Sequence, residues 1–284
     1  MMIFPLIFII FLRLECVLST SNHSFVFAHA SGIGTIDNCG KNNLQNLLAT
    51  LTSQTLSTGF YNFSTTFPGT PNQLHVLYLC RGDVVDPQVC YSCINSAKNY
   101  NFENSFYVRE GLIWYDLCMI RFSNESFLGK LDTGMSTASW DNHKIEGRHR
   151  IHFMKILRNT MEALAIQASN VVNGRKFASK VVKYTRFDSF HAMVQCTPDL
   201  LASDCYKCLT SARQKLLSLR GSLSGDVTYS SCMAQYKTTL AFSNKYSASE
   251  EVKPLPFLPS TAATNSAPIS LTGTQLDDPA DRSE

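Results

Sequence analysis

Two hydrophobic periods alternate along the chain, one of about two residues and one of about 3.6 residues, which are typical of strands and amphipathic helices respectively. In the first half, Pro87 suits the first turn of a helix over residues 87–98. An earlier helix is predicted from apolar residues at helical spacing, namely Leu44, Leu47, Leu48 and Leu51. Strands are predicted at residues 25–28, 59–65, 74–80 and, as two strands or one bent strand, 111–122.

The second half repeats this order of elements. A long helix is predicted from apolar residues at helical spacing, namely Ile151, Met154, Leu157, Met161 and Leu164. It is followed by a predicted strand over residues 187–196, a helix over 199–217 and strands within 227–242. Strands mixed with two helices in each half favour an α+β fold, with the helices on one face of an antiparallel sheet.

The cysteine spacing indicates a duplication. Cys80, Cys90, Cys93 and Cys118 recur as Cys196, Cys205, Cys208 and Cys232, at offsets of 116, 115, 115 and 114 residues. We therefore predict two tandem domains, at residues 24–123 and 144–246, joined by a polar linker at 124–143. Residues 247–284 are rich in Pro, Ser, Thr and Ala, lack an apolar run of membrane length and are predicted to be a disordered tail.

The amino terminus predicts a cleaved signal peptide at residues 1–19. An apolar run over residues 1–12 is too short to span a bilayer, and Val17 and Ser19 are small residues before a cleavage site. No basic residue precedes the run, and residues 28–30 offer a second possible cleavage site. Cleavage would remove Cys16 and leave nine cysteines, with no transmembrane segment in the mature chain. Three glycosylation sequons are compatible with secretion, at Asn22, Asn62 and Asn124.

Disulfides are the expected state of these cysteines in an oxidising compartment. Zinc binding is the alternative for the two C-x2-C pairs, but these pairs lie one in each repeat, so that the metal would have to bridge both domains. A thioredoxin-like redox site would require C-x2-C at a helix start after a strand, within a recognisable surrounding fold. An even number of four cysteines in each copy favours two disulfides per copy, with no metal and no cofactor.

Three motifs resemble those of the plant cysteine-rich repeat secretory proteins. They are the C-x8-C-x2-C spacing at Cys196, the sequence CRGD at residues 80–83, and LIWYDLC at residues 112–118. The domain of that family is called ginkbilobin-like, or salt-stress and antifungal, and it also forms the tandem ectodomains of cysteine-rich receptor-like kinases and plasmodesmata-located proteins. The resemblance implies two helices on a five-stranded antiparallel sheet in each copy. It also implies four disulfides: Cys80–Cys90, Cys93–Cys118, Cys196–Cys205 and Cys208–Cys232.

The sequence departs from the family pattern in its cysteines. The first motif is C-x9-C-x2-C, so its loop must accommodate one extra residue. The cysteines of the family's third disulfide are missing in both copies. In the first copy its two positions fall near Ala30 and at Ser105, and in the second copy one falls at Arg220 and no upstream cysteine is present. Cys39 is consequently left unpaired, which permits a disulfide-linked dimer.

The sequence also departs from the family's mannose site, which consists of an Asn, an Arg and a Glu. The matching positions hold Ser31, Leu112 and Ser123 in the first copy, and the last two hold Asp226 and Lys237 in the second. No position keeps the family's residue. Mannose binding is therefore not inferred for this chain.

The remaining candidate residues have structural explanations. Trp114 and its neighbours could stack on a sugar, but a Trp in so apolar a run favours the core. His149 and His152 lack a third metal ligand and are interpreted as a surface pair, and Asp83 and Asp86 as turn and helix-start residues. No catalytic or nucleotide-binding signature is present in the sequence, so we expect no enzyme.

Charge is distributed unevenly between the two copies. Residues 144–246 hold sixteen Lys and Arg against six Asp and Glu, a net charge of +10, whereas residues 24–123 carry −1 and the tail −4. A domain this basic attracts polyanions, which outside the cell means acidic wall polysaccharide or anionic lipid rather than nucleic acid. The candidate polyanion-binding residues are Arg148, Arg150, Lys155, Arg158, Arg175, Lys176, Lys180, Lys183 and Arg186.

The sequence thus predicts a secreted, apoplastic binding or interaction module that acts in stress or defence responses. Its expected partner is an acidic cell-wall polysaccharide or a cell-surface protein. An antimicrobial lectin-like defence protein and a truncated receptor-like kinase ectodomain are the alternatives, and an enzyme with an unrecognised site ranks below them.

Overall fold

The computed structural model describes residues 23–33, 58–66, 73–98, 108–172 and 174–241. Its elements form two units, each with one antiparallel sheet of five strands. The first unit contains β1 (Phe25–Ile33), β2 (Phe60–Thr66), β3 (Gln73–Cys80), α1 (Pro87–Lys98), β4 (Val108–Tyr115) and β5 (Cys118–Ser123). The second unit contains β6 (Ser136–Trp140), α2 (Gly147–Ser169), β7 (Phe177–Lys183), β8 (Ser189–Cys196), α3 (Ala202–Leu217), β9 (Ser224–Tyr229) and β10 (Cys232–Thr238).

The two sheets have the same strand order. It is β1-β4-β5-β3-β2 in the first unit and β6-β9-β10-β8-β7 in the second. The register also repeats. Cys80 and Cys118 are cross-strand neighbours on β3 and β5, and Cys196 and Cys232 are the equivalent neighbours on β8 and β10. The α+β fold and the duplication predicted from the sequence are confirmed.

The helices cover one face of each sheet, which we call the inner face. In the second unit, Phe153, Leu157 and Met161 of α2 are fully buried against Phe190 and Tyr236 of the sheet. In the first unit, α1 packs Ile94 and Ala97 onto inner-face residues, among them Val76, Tyr78 and Ile120. Because strand side chains alternate between faces, the residues between these core positions point to the opposite, outer face.

Each element predicted within the described ranges corresponds to an observed one, and the structure adds strands such as β6 and β7. Residues 111–122 form two strands, β4 and β5, rather than one bent strand. Within residues 124–143, predicted to be a linker, β6 pairs with β9 and is part of the second sheet. That strand is short and its side chains are half-buried or exposed, so it carries no apolar alternation that the sequence could reveal.

Several predictions concern residues outside the described ranges. These are the signal peptide, the first helix, the tail, the sequon at Asn22, and Cys39. Within the described ranges, no helix combines the length and apolar character needed to cross a membrane.

The two units are joined by specific contacts near the first disulfide of the first unit. Gln195 accepts a hydrogen bond from the Gly82 backbone N–H at 3.0 Å and donates one to the Cys80 carbonyl at 3.1 Å. The Phe177 ring lies where a side chain at position 82 would project, so this approach requires a glycine there. Met233 of the second sheet extends into an apolar cluster on the outer face of the first.

Candidate functional site

Two disulfides in each unit fix a helix to the inner face of its sheet. They link Cys80 with Cys90, Cys93 with Cys118, Cys196 with Cys205, and Cys208 with Cys232, the pairs that the family resemblance implies. The Cα atoms are 5.7 Å apart in both Cys80–Cys90 and Cys196–Cys205. The loop before α1 therefore accommodates the extra residue of the first motif without changing the span of the bridge.

The described residues include one cluster with potential metal ligands, and it lies at these disulfides. Ligand atoms of His23, Cys93 and Asp116 are within 4.8 Å of one another. However, Cys93 is bonded to Cys118 and has no thiolate to offer. His149 and His152, which the sequence placed on a surface, are both exposed on α2.

An exposed basic surface covers the first half of α2. Arg148, Arg150, Lys155 and Arg158 are all exposed. Arg148 and Lys155 lie on the side of the helix opposite the buried Phe153 and Leu157, whereas Arg150 precedes these two residues on their own side. We call these four residues the α2 basic face. Neighbouring charges on this surface are separated by one to a few helical turns, which is about one to two Debye lengths, so their potentials add in part at physiological salt.

Two of the candidate polyanion-binding residues are engaged inside the protein instead. Arg175 donates hydrogen bonds to the backbone carbonyls of Thr58, Gly82 and Val84 in the first unit, at 2.9, 3.3 and 2.7 Å. Lys176 is only 6% exposed and donates to the Val171 carbonyl at 2.9 Å. Burial and these bonds leave neither side chain available to a polysaccharide, so both are withdrawn from the candidate site.

The remaining three cations, Lys180, Lys183 and Arg186, are exposed on β7 and the turn that follows it. Lys180 is two residues from both Ala178 and Val182, which pack into the core beneath α2, so its side chain is on the same, inner side of the strand. Lys183 has the opposite parity and lies on the outer side. The nine candidates therefore do not form one continuous face.

The outer face of the first sheet is covered by the chain itself. Phe127 is 8% exposed and packs on Leu77 and Leu112, while its ring lies 4.3 Å from the Arg121 guanidinium. Arg121 also donates to the carboxylates of Glu110 and Asp132, at 3.1 and 2.8 Å. Residues 124–132 thus lie over this face.

Because of this cover, two of the three mannose-related positions of the first copy are buried. Leu112 is 1% and Ser123 4% exposed, and the side chain of Ser31 lies outside the described residues. Trp114 is 5% exposed in the same cluster, as the core interpretation predicted.

The two sequons that the structure describes differ in accessibility, since Asn124 is exposed and Asn62 is half-buried on edge strand β2.

Part of the outer face of the second sheet, beside the residues that contact the first unit, lines an open polar groove of about 380 Å³. Its floor consists of cross-strand neighbours: Ser139, Asp226, Gln235 and Met193 in one row, and Ser224, Lys237 and His191 in the next. Arg81 and Asp83 of the first unit line its rim and are ion-paired at 2.7 Å. Burial raises the pKa of Asp226 to about 6, although a hydrogen bond from Thr228 and the charge of Arg81 oppose the rise.

Sequence reasoning missed three residues that determine these surfaces. Phe127 and Gln195 have no local signal, because their roles depend on partners in other elements. Arg220 was noted only as the place of a missing cysteine, yet it lines a groove with three cations of α2. A positive backbone φ of 55° at a residue that is not glycine marks it in the structure alone.

Known proteins share both the sequence pattern and the fold. The chain is 32% identical over 228 residues to cysteine-rich receptor-like protein kinase 7 of Arabidopsis thaliana, covering 78% of this chain and 33% of that kinase. It is 29% identical over 239 residues to cysteine-rich repeat secretory protein 1 of the same species, covering 82% of this chain and 68% of that protein. The chain thus spans about a third of the kinase's length.

The fold is similar to two crystal structures of tandem DUF26 ectodomains, those of the Arabidopsis thaliana cysteine-rich receptor-like proteins PDLP8 and PDLP5. Each has a TM-score of 0.61; the identities are 22% and 23%, over 76% and 75% of this chain and 98% of each ectodomain.

Residues 35–125 and 141–239 each match the family described as salt stress response/antifungal. The two matched segments make up more than half of the chain, and each contains one pair of the disulfides described above. The protein therefore belongs to the salt stress response/antifungal family, with two copies of the domain in tandem.

Proposed function

We propose that the protein is an extracellular, non-enzymatic binding module of stress or defence responses whose second unit binds acidic cell-wall polysaccharide. The relatives support an extracellular setting, since one is named a secretory protein and the similar crystal structures are ectodomains. The disulfides support an oxidising compartment.

The α2 basic face carries the proposal. Its four cations are exposed, whereas two arginines of the first unit are held by internal partners: Arg81 by Asp83 and Arg121 by Glu110 and Asp132. A polyanion would therefore find its strongest field on the second unit. Such exposed contacts weaken as salt rises, because screening shortens their range.

Binding of the whole protein to polygalacturonate, measured across a salt gradient, tests this function. We expect retention that is lost at several hundred millimolar salt, and much earlier elution of the variant R150Q/R158Q. The matched control K130Q/K207Q removes two exposed cations elsewhere and should elute close to the unchanged protein. Equal elution of the two variants, or no retention of the unchanged protein, would refute the proposal.

A lectin-like activity is the second candidate, and the open groove on the second sheet favours it. Hydroxyl, amide, carboxyl and ammonium groups converge there beside Met193, which is a suitable lining for a small polar ligand. Mannose is not the expected ligand, because Asp226 and Lys237 stand where the family has Arg and Glu. We expect calorimetry to detect no submillimolar mannose binding, and detection of such binding would establish this candidate instead.

A further inference from the structure

A shallow groove of about 570 Å³ lies between α2 and the turn that follows α3. Four of its six lining residues are cationic, namely Arg150, Lys155, Arg158 and Arg220, and the other two are Ile151 and Met154. Arg220 comes from a separate segment of the chain, so the groove is built by the fold rather than by one helix. Its lining therefore combines cations with two apolar side chains, the exposed Ile151 and the half-buried Met154.

The helix sets the length of the groove. Arg150, Met154 and Arg158 recur every four residues and lie along one side of α2. With a rise of 1.5 Å per residue, Arg150 and Arg158 are about 12 Å apart along the axis. Because the cations are spread over two turns of the helix, a chain carrying several carboxylates can contact more of them at once than a single carboxylate can.

The turn is shaped to bring its own cation to the helix. Arg220 adopts the left-handed backbone conformation, with φ of 55°, which residues with a side chain disfavour. The neighbouring Gly221 also has a positive φ, of 83°, and a side chain there would come within 2.9 Å of the Arg150 Cγ atom. The absence of that side chain lets the stem of Arg150 lie against the turn.

Hydrogen bonds hold the turn in this conformation. The Ile145 N–H donates to the Gly221 carbonyl at 2.9 Å, and the buried Tyr236 hydroxyl donates to the Ser222 carbonyl at 2.8 Å. The two residues that follow Arg220 are therefore anchored, one to the segment that precedes α2 and the other to the sheet. The Arg220 side chain remains exposed at the mouth of the groove.

The acidic residues on α2 and at its start leave these charges uncompensated. Glu162 is ion-paired with Arg213 and accepts a hydrogen bond from the Tyr206 hydroxyl, both on α3. Glu146 lies at the start of α2 and is exposed. Among the residues that the structure describes, no ion pair involves Arg150, Lys155, Arg158 or Arg220.

We infer that this groove is the subsite that binds an oligomeric stretch of uronic acid residues in the polysaccharide, with Arg220 in direct contact with it. The inference rests on the proposed function and deepens it by naming the ligand and the residues. Carboxylates pair with the guanidinium groups, and the apolar face of a sugar ring packs on Ile151 and Met154. Because the cations are spread along the helix, affinity increases with the number of linked uronates.

Titration calorimetry of the whole protein with galacturonate monomer, trimer and hexamer tests the inference. We expect the hexamer to bind at least about tenfold more tightly than the monomer, since it reaches several charged contacts. The variant R220N should weaken hexamer binding by about tenfold without unfolding, because asparagine tolerates the left-handed conformation. The control K207Q, an exposed cation on α3, should change affinity by less than about twofold.

The outcomes separate this inference from the proposed function. Retention of polygalacturonate by the unchanged protein, with earlier elution of R150Q/R158Q but full hexamer affinity in R220N, would overturn the subsite and leave the function standing. Equal affinities for monomer, inorganic phosphate and hexamer would mean a simple anion site and would also overturn it. Comparable binding to phosphatidylserine vesicles, lost in R220N, would assign the groove to a membrane surface instead.

Discussion

In the first unit the outer face of the sheet is covered by residues 124–132, whereas part of the same face of the second sheet lines an open polar groove. The two faces have equivalent strands, and their disulfides stand at equivalent register positions. Leu77, Leu112 and Arg121 of the first face correspond to Met193, Asp226 and Gln235 of the second. The duplicated scaffold is therefore the same, and its surfaces are different.

The path of the chain after the last strand of each unit explains the difference. After β5 the chain turns over the outer face and buries Phe127 there. After β10 it turns toward the helices, where Ala241 is 5% exposed in the core and its N–H bonds to the Thr238 hydroxyl. The second unit is therefore where we expect ligands, since its outer face is partly open and four of its cations have no ion pair among the described residues.

The largest change in stability is expected from removing the side chain that covers the outer face of the first sheet. Phe127→Ala deletes a ring buried among Leu77, Leu112 and Trp114, and it should lower the free energy of unfolding by about 3 kcal/mol. The measurement is urea unfolding of the whole protein, followed by fluorescence.

Phe187→Ala is the matched control in the second unit, because that ring is 87% exposed. Its substitution should change stability by no more than about 0.5 kcal/mol. Similar losses for both substitutions would show that Phe127 does not seal the first face.

A smaller change in stability is expected from substitution of Asp226, whose carboxyl group lines the groove of the second sheet. Burial raises the pKa of Asp226 to about 6, so between about pH 4 and 6 the folded protein holds a proton that the unfolded chain releases. This group therefore stabilises less as pH rises through 6. Asp226→Asn should raise stability at pH 7 by about 1–2 kcal/mol, a value that allows for its partial exposure.

Thermal unfolding of the unchanged protein and of Asp226→Asn at pH 4.5 and pH 7 measures this effect. The gain at pH 4.5 should be about a third of the gain at pH 7, because most of the pH range in which only the folded protein holds the proton lies above pH 4.5. Glu125→Gln, which replaces an exposed carboxylate on the covered side, should change stability by less than about 0.5 kcal/mol at either pH. An equal gain at both pH values would show that the buried Asp226 carboxyl group does not have a raised pKa in the folded protein.

The sequence was sufficient to predict the scaffold, because hydrophobic periodicity and cysteine spacing are local signals. Helix α1 was predicted over the residues it occupies, from Pro87, the apolar spacing and the cysteines. The duplicated cysteine pattern also showed where the second sheet would repeat the first. Strand β6 was missed because it is a short, polar edge strand whose only cue is its pairing with β9.

Surfaces were predicted less well, because burial depends on distant partners. In the sequence Arg175 resembles Arg186, yet Arg175 bonds to carbonyls of the first unit about ninety or more residues away, whereas Arg186 is exposed. Likewise nothing local distinguishes Phe127, which covers a sheet, from Phe187, which covers none. Arg220 gained its place in the groove only from the fold of the turn around it.

Chemical footprinting of lysine and arginine side chains, with and without polygalacturonate, tests most directly whether binding belongs to the second unit. The whole protein is labelled and each site is quantified by mass spectrometry. The account predicts protection of Arg150, Lys155, Arg158 and Arg220, and unchanged labelling of the exposed Lys130 and Lys207. Equal protection at Lys130 and Lys207, or none on α2, would contradict it.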